Sequence, residues 1–153
     1  MDPKFNGLIE NLHQKYLHLI QMSPVKIDTL PKNTPQGGVY LFSIGGQHLY
    51  AGRTKKLIGD RVKDHVSKAP DCPFAWHLAR EETGLKKASY KPEGSRKHLL
   101  SQPEFKAAYE RAKQTIRTME VRYVQETDPV KQALLEIYVA IVAGAKHNDF
   151  DTH

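Results

Sequence analysis

The sequence predicts an α+β fold in which helices flank a small three-stranded sheet. Two short β-rich segments, Val39–Ile44 and Gln47–Gly52, surround the Gly45-Gly46 pair and are typical of a hairpin. A third segment, Met119–Gln125, alternates between two sets of side chains in the manner of a strand. Apolar residues elsewhere recur mostly at helical spacing, which places helices around these strands.

Helices are expected before, between and after the strands. A single amphipathic helix is predicted over residues 3–22, because Asp2 and Pro3 are start signals and apolar residues follow at helical spacing. Prolines make residues 24–37 an extended linker. The other predicted helices span residues 55–67, 74–83, 103–113 and 129–143, and residues 84–102 are expected to be irregular and basic.

The register of the hairpin decides whether Tyr40 and Tyr50 share a face of the sheet. A two-residue turn at Gly45-Gly46, which the sequence slightly favours, pairs Tyr40 with Ala51 and puts the tyrosines on opposite faces. A three-residue loop over 44–46 pairs Tyr40 with Tyr50 directly. If both tyrosines serve one site, we expect the three-residue loop or an equivalent bulge.

The positive charge of the chain is concentrated in one segment. The net charge is +6, and residues 53–97 alone carry 12 basic and 6 acidic side chains. A localised basic surface is typical of a protein that binds a polyanion, although a solvated basic face without a partner has the same composition.

The chain has a single cysteine, Cys72, which excludes an intrachain disulfide and a zinc site made of several cysteines. One free thiol suits a reducing compartment, so a cytoplasmic location is expected. No apolar run is long enough to span a bilayer, and no membrane partner is expected.

Glu136 is the only charged residue between positions 133 and 143. Its neighbours at helical spacing are Ala133, Ala140 and Ala143, whose small side chains leave room around the carboxylate. A carboxylate in an apolar helix costs free energy unless it is paired, bound to a cation or opened to a cleft. The two interpretations are an ion pair with a core-facing arginine and a functional site.

An ordered set of polar and glycine residues runs through the chain: Gly38-Val39-Tyr40, Tyr50-Ala51-Gly52, Arg53, Arg61, His65, Glu136 and Asn148. This set resembles the GIY-YIG nuclease superfamily. Val39 and Ala51 replace the isoleucines for which the family is named, and the interval from Tyr50 to Arg61 is one residue longer than is common. About fifty residues separate the basic helix, predicted over residues 55–67, from the third strand, which is more than in a minimal module.

The resemblance implies one nuclease domain over residues 1–153, with its three strands in an antiparallel sheet. The expected parts are an added N-terminal helix and linker in 1–36, the hairpin and basic helix in 37–67, a helical and loop insertion in 68–117, and the third strand, the glutamate helix and the tail in 118–153. The insertion is expected to serve substrate recognition.

The family resemblance also implies a metal-dependent endonuclease that hydrolyses phosphodiester bonds in DNA. One divalent ion, Mg²⁺ or Mn²⁺, is expected on Glu136 and would stabilise the leaving oxygen. Arg61 would hold the scissile phosphate. Tyr40 is the expected general base, Tyr50 would bind the water or the phosphate, and His65 would orient Tyr40 or the phosphate or accept the proton itself.

The remaining expected site residues contact DNA or support the site. Arg53, Lys55, Lys56 and Lys63 are expected to contact the nucleic acid, and RNA is not excluded as the substrate. Asn148 would brace the hairpin or the glutamate side of the cleft. The alternative function is a catalytically silent nucleic-acid-binding module on the same scaffold. A homodimer is one arrangement that would cut both strands.

Overall fold

The computed structural model describes residues 1–67, 72–85 and 95–150. The chain divides into two compact units, Met1–Lys63 with Met119–His153 and, separately, Asp64–Thr118. The first unit contains α1 (Pro3–Ile9), α2 (Leu12–Gln21), β1 (Gln36–Ile44), β2 (Gln47–Leu57), α3 (Ile58–Asp64), β3 (Glu120–Gln125) and α7 (Pro129–Val142). The last residue of α3, Asp64, already belongs to the second unit. The second unit contains α4 (Pro73–Thr83), α5 (Arg96–Ser101) and α6 (Pro103–Arg117).

The three strands form one antiparallel sheet in the order β2-β1-β3, flanked by helices, which confirms the predicted α+β fold. Gly38 on β1 pairs with both neighbouring strands. A Cβ at this position would lie only 2.1 Å from the carbonyl oxygen of Val124 on β3. Only glycine therefore lets β1 and β3 approach as closely as they do here.

The hairpin combines a two-residue turn with a bulge. Ile44 pairs with Gln47, and the turn residues Gly45 and Gly46 have φ angles of 55° and 81°, which glycine adopts readily. The register then shifts between Phe42 and Ser43, so that Leu49 is an extra residue on β2.

The bulge changes the face on which Tyr50 lies. Phe42 pairs with Tyr50 and Tyr40 pairs with Gly52, so Tyr40 and Tyr50 lie on the same face of the sheet. The expected bulge is confirmed, whereas a three-residue loop is not formed.

The other face of the sheet packs on α2 and α7. Its apolar side chains come from β1 and β2, and they meet one buried residue of α2 and three of α7. The members of this core are Val39, Leu41, Ala51, Leu19, Leu135, Val139 and Ala140. As predicted, α7 is preceded by Asp128, whose carboxylate accepts a hydrogen bond from the Lys131 N–H at 2.9 Å.

The second unit is built on aromatic packing between α4 and α6. The ring of Trp76 lies 5.4 Å from that of Phe105 and 4.9 Å from that of Tyr109. All three side chains are buried, and such ring pairs stabilise the packing beyond their buried area. Gly84, in the left-handed conformation, ends α4 as predicted. Among the described residues, no helix has both the length and the apolar character needed to cross a membrane.

Three segments differ from their predicted secondary structure. The segment 3–22 forms two helices, α1 and α2, because the helical backbone is interrupted at Asn11, whose ψ angle is 7°. Residues 96–101, expected to be irregular, form α5, and α6 continues to Arg117. Part of the predicted basic irregular segment, residues 86–94, lies outside the described residues.

The basic helix is also shorter than predicted, because β2 continues to Leu57 and pairs with the start of β1 at Gln36. Lys55 and Lys56 therefore lie on a strand, where backbone pairing prevails over the helical spacing of the apolar residues. At the other end, α3 stops at Asp64, so His65 lies one residue beyond the helix rather than on a helical face shared with Arg61.

Candidate active site on strand β2

The C-terminal tail runs along the outer edge of β2, the edge away from β1. The Asn148 side chain accepts a hydrogen bond from the Ala51 N–H and donates one to the Ala51 carbonyl oxygen, each at 2.8 Å. Just before it, the His147 N–H donates to the Leu49 carbonyl oxygen at 2.8 Å. Asn148 thus satisfies both backbone groups of one strand residue and fixes the tail to the hairpin.

The Tyr40 side chain crosses from β1 to β2 and covers Gly52. A Cβ at position 52 would lie 2.4 Å from both Cζ and Oη of Tyr40. No side chain fits in that space while the Tyr40 ring stays in place, so Tyr40 requires a glycine at position 52.

Glu136 on α7 meets β2 at Arg53. The Arg53 Nε lies 3.8 Å from Glu136 Oε1. Removal from water raises the pKa of Glu136 above its ordinary value, while the Arg53 charge and N–H act in the opposite direction. The side chain of Glu136 keeps 26% of its surface exposed, so the carboxylate still reaches solvent.

These contacts involve consecutive residues of one strand. Ala51 and Arg53 are two residues apart on β2, so their N–H groups point to the same edge of the sheet. Asn148 therefore lies on the outer edge of β2 at Ala51, and Glu136 contacts the strand at Arg53, on the other side of the position that Tyr40 covers.

Arg61 is held near the start of β1 by the way α3 begins. The Ile58 N–H donates to the Pro35 carbonyl oxygen at 2.9 Å, and the Gly59 N–H donates to Thr34 Oγ1 at 2.8 Å. These bonds satisfy two N–H groups at the start of the helix. Arg61 follows one turn later and is half-buried.

The predicted site residues have different exposures. Tyr40 is 1% exposed, and its ring makes an edge contact with Phe42 at 5.8 Å. Tyr50, paired with Phe42 across the strands, is only half-buried. His65 is fully buried and belongs to the second unit. The basic residues Arg53, Lys55, Lys56 and Lys63 are exposed.

The structure thus brings three predicted residues, Tyr40, Glu136 and Asn148, to the segment Tyr50–Arg53 of β2. Tyr50 and Arg53, which are also predicted site residues, are part of that segment. Arg61 lies on the helix that directly follows this strand. Sequence reasoning did not find that Arg53 is the ion-pair partner of Glu136. Nothing in the sequence signals this pair, because the two residues are far apart in the chain and Arg53 lies on a strand with ordinary composition.

A single carboxylate at a strand edge, partly open to solvent, fits one divalent cation. A hard cation such as Mg²⁺ keeps several waters and is often bound through one or two carboxylates together with substrate phosphates. Glu136 is the only acidic residue among those predicted for the site. No protein-family model, curated protein or solved structure matches this chain.

Proposed function

We propose that the protein is a metal-dependent endonuclease that hydrolyses phosphodiester bonds in DNA. The observation that carries this proposal is the convergence on Tyr50–Arg53 of side chains from three distant parts of the chain. Tyr40 covers Gly52, Glu136 pairs with the Arg53 side chain and Asn148 binds Ala51. Phenols, a carboxylate and arginines can supply what phosphodiester hydrolysis needs, which is an activated water, stabilisation of the charge on the phosphate and help for the leaving oxygen.

Each side chain has a distinct role in this proposal. Arg61 holds the scissile phosphate through charge-assisted hydrogen bonds, and Tyr50, the more exposed tyrosine, binds the attacking water or a phosphate oxygen. Tyr40 takes the proton from the water. One divalent ion, Mg²⁺ or Mn²⁺, held by Glu136 would supply Lewis-acid stabilisation of the leaving oxygen.

Arg53 has two roles at Glu136. Its backbone N–H and its guanidinium favour the ionised carboxylate, which is the form that binds a cation, against the effect of burial. Its guanidinium is itself a donor for a DNA phosphate when the ion pair opens. The Arg53–Glu136 pair therefore keeps the carboxylate ionised for cation binding and holds a phosphate-binding guanidinium beside it.

Charge supports a nucleic-acid partner. Lys55 and Lys56 are exposed and continue β2 beyond the site, and Lys63 is exposed on α3. Basic side chains along one strand and the next helix can follow a phosphate backbone. DNA is the proposed substrate, with RNA as the substrate to be tested beside it, and the single cysteine favours a cytoplasmic setting.

A nucleic-acid-binding protein without cleavage activity is the second candidate. The burial of Tyr40, at 1% exposure, favours it, because a phenol closed to solvent does not meet an attacking water unless the site opens. On this alternative, the contacts at Tyr50–Arg53 only stabilise the hairpin.

A cleavage assay over a panel of duplex, flap, branched and single-stranded DNA, with RNA in parallel, separates the candidates. The nuclease cuts at least one substrate with Mg²⁺ or Mn²⁺ and stops when the metal is chelated. Glu136→Gln is expected to remove cleavage, whereas Glu10→Gln, at an exposed residue between α1 and α2, is expected to leave it unchanged. Binding to all substrates without any cutting would support the second candidate instead.

A further inference from the structure

Two arginines lie against the same tryptophan in the second unit. The guanidinium carbon of Arg80, on α4, lies 5.6 Å from the centre of the Trp76 ring, and that of Arg96, on α5, lies 5.1 Å from it. Contact with an indole face attracts each cation. It also places two like charges close together, and the Arg96 charge contributes, after burial, to a lowered pKa for Arg80.

One edge of the Arg80 guanidinium lacks hydrogen-bond acceptors. Its Nε and Nη2 nitrogens are buried and donate to no acceptor in the part of the chain that the structure describes. These two nitrogens form the side of the guanidinium that binds two oxygens of one anion in parallel. Leaving such donors buried and unsatisfied costs free energy, which an anion bound to this edge would recover.

The neighbouring carboxylates are engaged with other bases. Glu81 and Glu82 follow Arg80 directly, yet Glu81 lies 4.0 Å from His77 and Glu82 lies 3.0 Å from Arg111. Among the described residues, no carboxylate forms an ion pair with Arg80. The Arg80 guanidinium therefore has no acidic partner among the described residues of α4.

We propose that Arg80 and Arg96, held against Trp76, form a binding site for a phosphate group of a polynucleotide backbone. A phosphodiester presents two oxygens at the spacing that the Arg80 edge matches, and the second guanidinium adds a further charge-assisted contact. The choice of a polynucleotide over a small anion rests on the proposed function. The site is separate from the cleavage residues of β2 and binds the substrate without taking part in hydrolysis.

Binding changes the surroundings of Trp76. Because the Arg80 Nε and Nη2 nitrogens are closed to solvent in this structure, an anion reaches them only when the guanidinium shifts on the indole ring. Trp76 is the only tryptophan in the chain, so its fluorescence reports on this site alone. The full chain titrated with a short DNA duplex is therefore expected to show a saturable change in tryptophan emission.

Variants of Arg80 test the site directly. Arg80→Lys keeps the positive charge but not the two-nitrogen edge, so it is expected to weaken binding of the duplex roughly tenfold, and Arg80→Ala at least as much. The salt dependence of affinity, plotted as logarithms, is expected to become shallower by about one unit in Arg80→Ala. Arg111→Ala is the matched control, because Arg111 lies in the same unit, is 60% exposed and pairs with Glu82.

The possible outcomes are distinguishable from those of the cleavage assay. Glu136→Gln should retain the fluorescence response and the affinity, even though it does not cut. The inference is overturned if the duplex leaves Trp76 emission unchanged, or if Arg80→Lys and Arg80→Ala, shown by circular dichroism to be folded, bind like the wild type. It is also overturned if inorganic phosphate saturates the response and the duplex does not compete, because the site would then serve a small anion.

Discussion

The ring of Tyr40 occupies the space that a side chain at Gly52 would need, with its hydroxyl oxygen 2.4 Å from the position of a Cβ. The two residues pair across β1 and β2, so the contact is fixed by the register that the bulge at Leu49 produces. It couples the conformation of the first tyrosine to the backbone of β2, where Glu136 and Asn148 also bind.

Replacement of Gly52 by alanine is expected to displace the Tyr40 ring. The added methyl group overlaps the phenol, and overpacking of this kind destabilises a folded protein by about 1–3 kcal/mol. Urea unfolding measures the loss. Gly7→Ala is the control, because nothing lies within 4 Å of the added Cβ and the position is helical, so equal or greater stability is expected there. A Gly52→Ala protein as stable as the wild type would show that the ring moves aside without cost.

Replacement of Asn148 by aspartate is expected to detach the tail from β2. The carboxylate still accepts from the Ala51 N–H but cannot donate to the Ala51 carbonyl oxygen, which it repels. We expect a loss of about 1–3 kcal/mol in stability and faster hydrogen exchange of the Ala51 amide.

Asn33→Asp, at an exposed turn, is the matched control for this change and should alter neither quantity. Unchanged exchange at Ala51 in Asn148→Asp would mean that the paired hydrogen bonds do not hold the tail in solution.

Glu136 is expected to make stability depend on pH in a particular direction. Burial raises the pKa of its carboxyl in the folded state, so the folded protein binds this proton more tightly than the unfolded chain. Its stabilising contribution is complete below the unfolded pKa and is lost as the pH rises through the folded pKa. Glutamine does not titrate, so the stability of Glu136→Gln relative to the wild type should rise over that interval.

Denaturant unfolding at a series of pH values measures this difference. Glu10→Gln, at an exposed acid, should run parallel to the wild type. A difference between Glu136→Gln and the wild type that stays constant or falls with pH would contradict the raised pKa.

The hydroxyl of Tyr40 is expected to matter for cleavage but not for folding. Tyr40→Phe keeps the ring over Gly52 and removes only the oxygen, and loss of a general base lowers rates by about 10²–10⁴-fold. The effect is measured as the cleavage rate at a saturating concentration of enzyme. Tyr138→Phe is the control, because it also removes a tyrosine hydroxyl, one that lies 2.7 Å from His13 Nδ1 in the wild type. A Tyr40→Phe enzyme that cuts at the wild-type rate would contradict the assignment of Tyr40 as the general base.

Local sequence signals located most of the elements of the fold. Proline, aspartate and glycine gave the start and end of α7, and alternation gave β3, because these signals act within a few residues. The bulge at Leu49 was not determined by the sequence of the turn, since Gly45-Gly46 forms the two-residue turn that it favours. The bulge arises three residues after the turn, where β1 and β2 adjust to each other.

Contacts between distant residues could not be derived in the same way. The pairing of Gln36 with Leu57 extends β2 into a segment whose apolar residues have helical spacing. Whether this segment forms a strand or a helix depends on its pairing with β1, which local sequence does not show. The Arg53–Glu136 pair likewise depends on how α7 packs on β2. In the second unit, Trp76 and Arg80 are four residues apart on one helix, a local signal, but Arg96 joins them from another helix.

The most direct test is the rate of DNA cleavage by Glu136→Gln at a concentration of enzyme that saturates the substrate, measured beside its affinity for the same DNA. We expect the rate to fall at least about a hundredfold, because loss of metal-ion stabilisation raises the barrier by several kcal/mol, while the dissociation constant stays within about twofold of the wild type. Cleavage by Glu136→Gln at the wild-type rate in the presence of Mg²⁺ would contradict the assignment of the active site to β2 and α7.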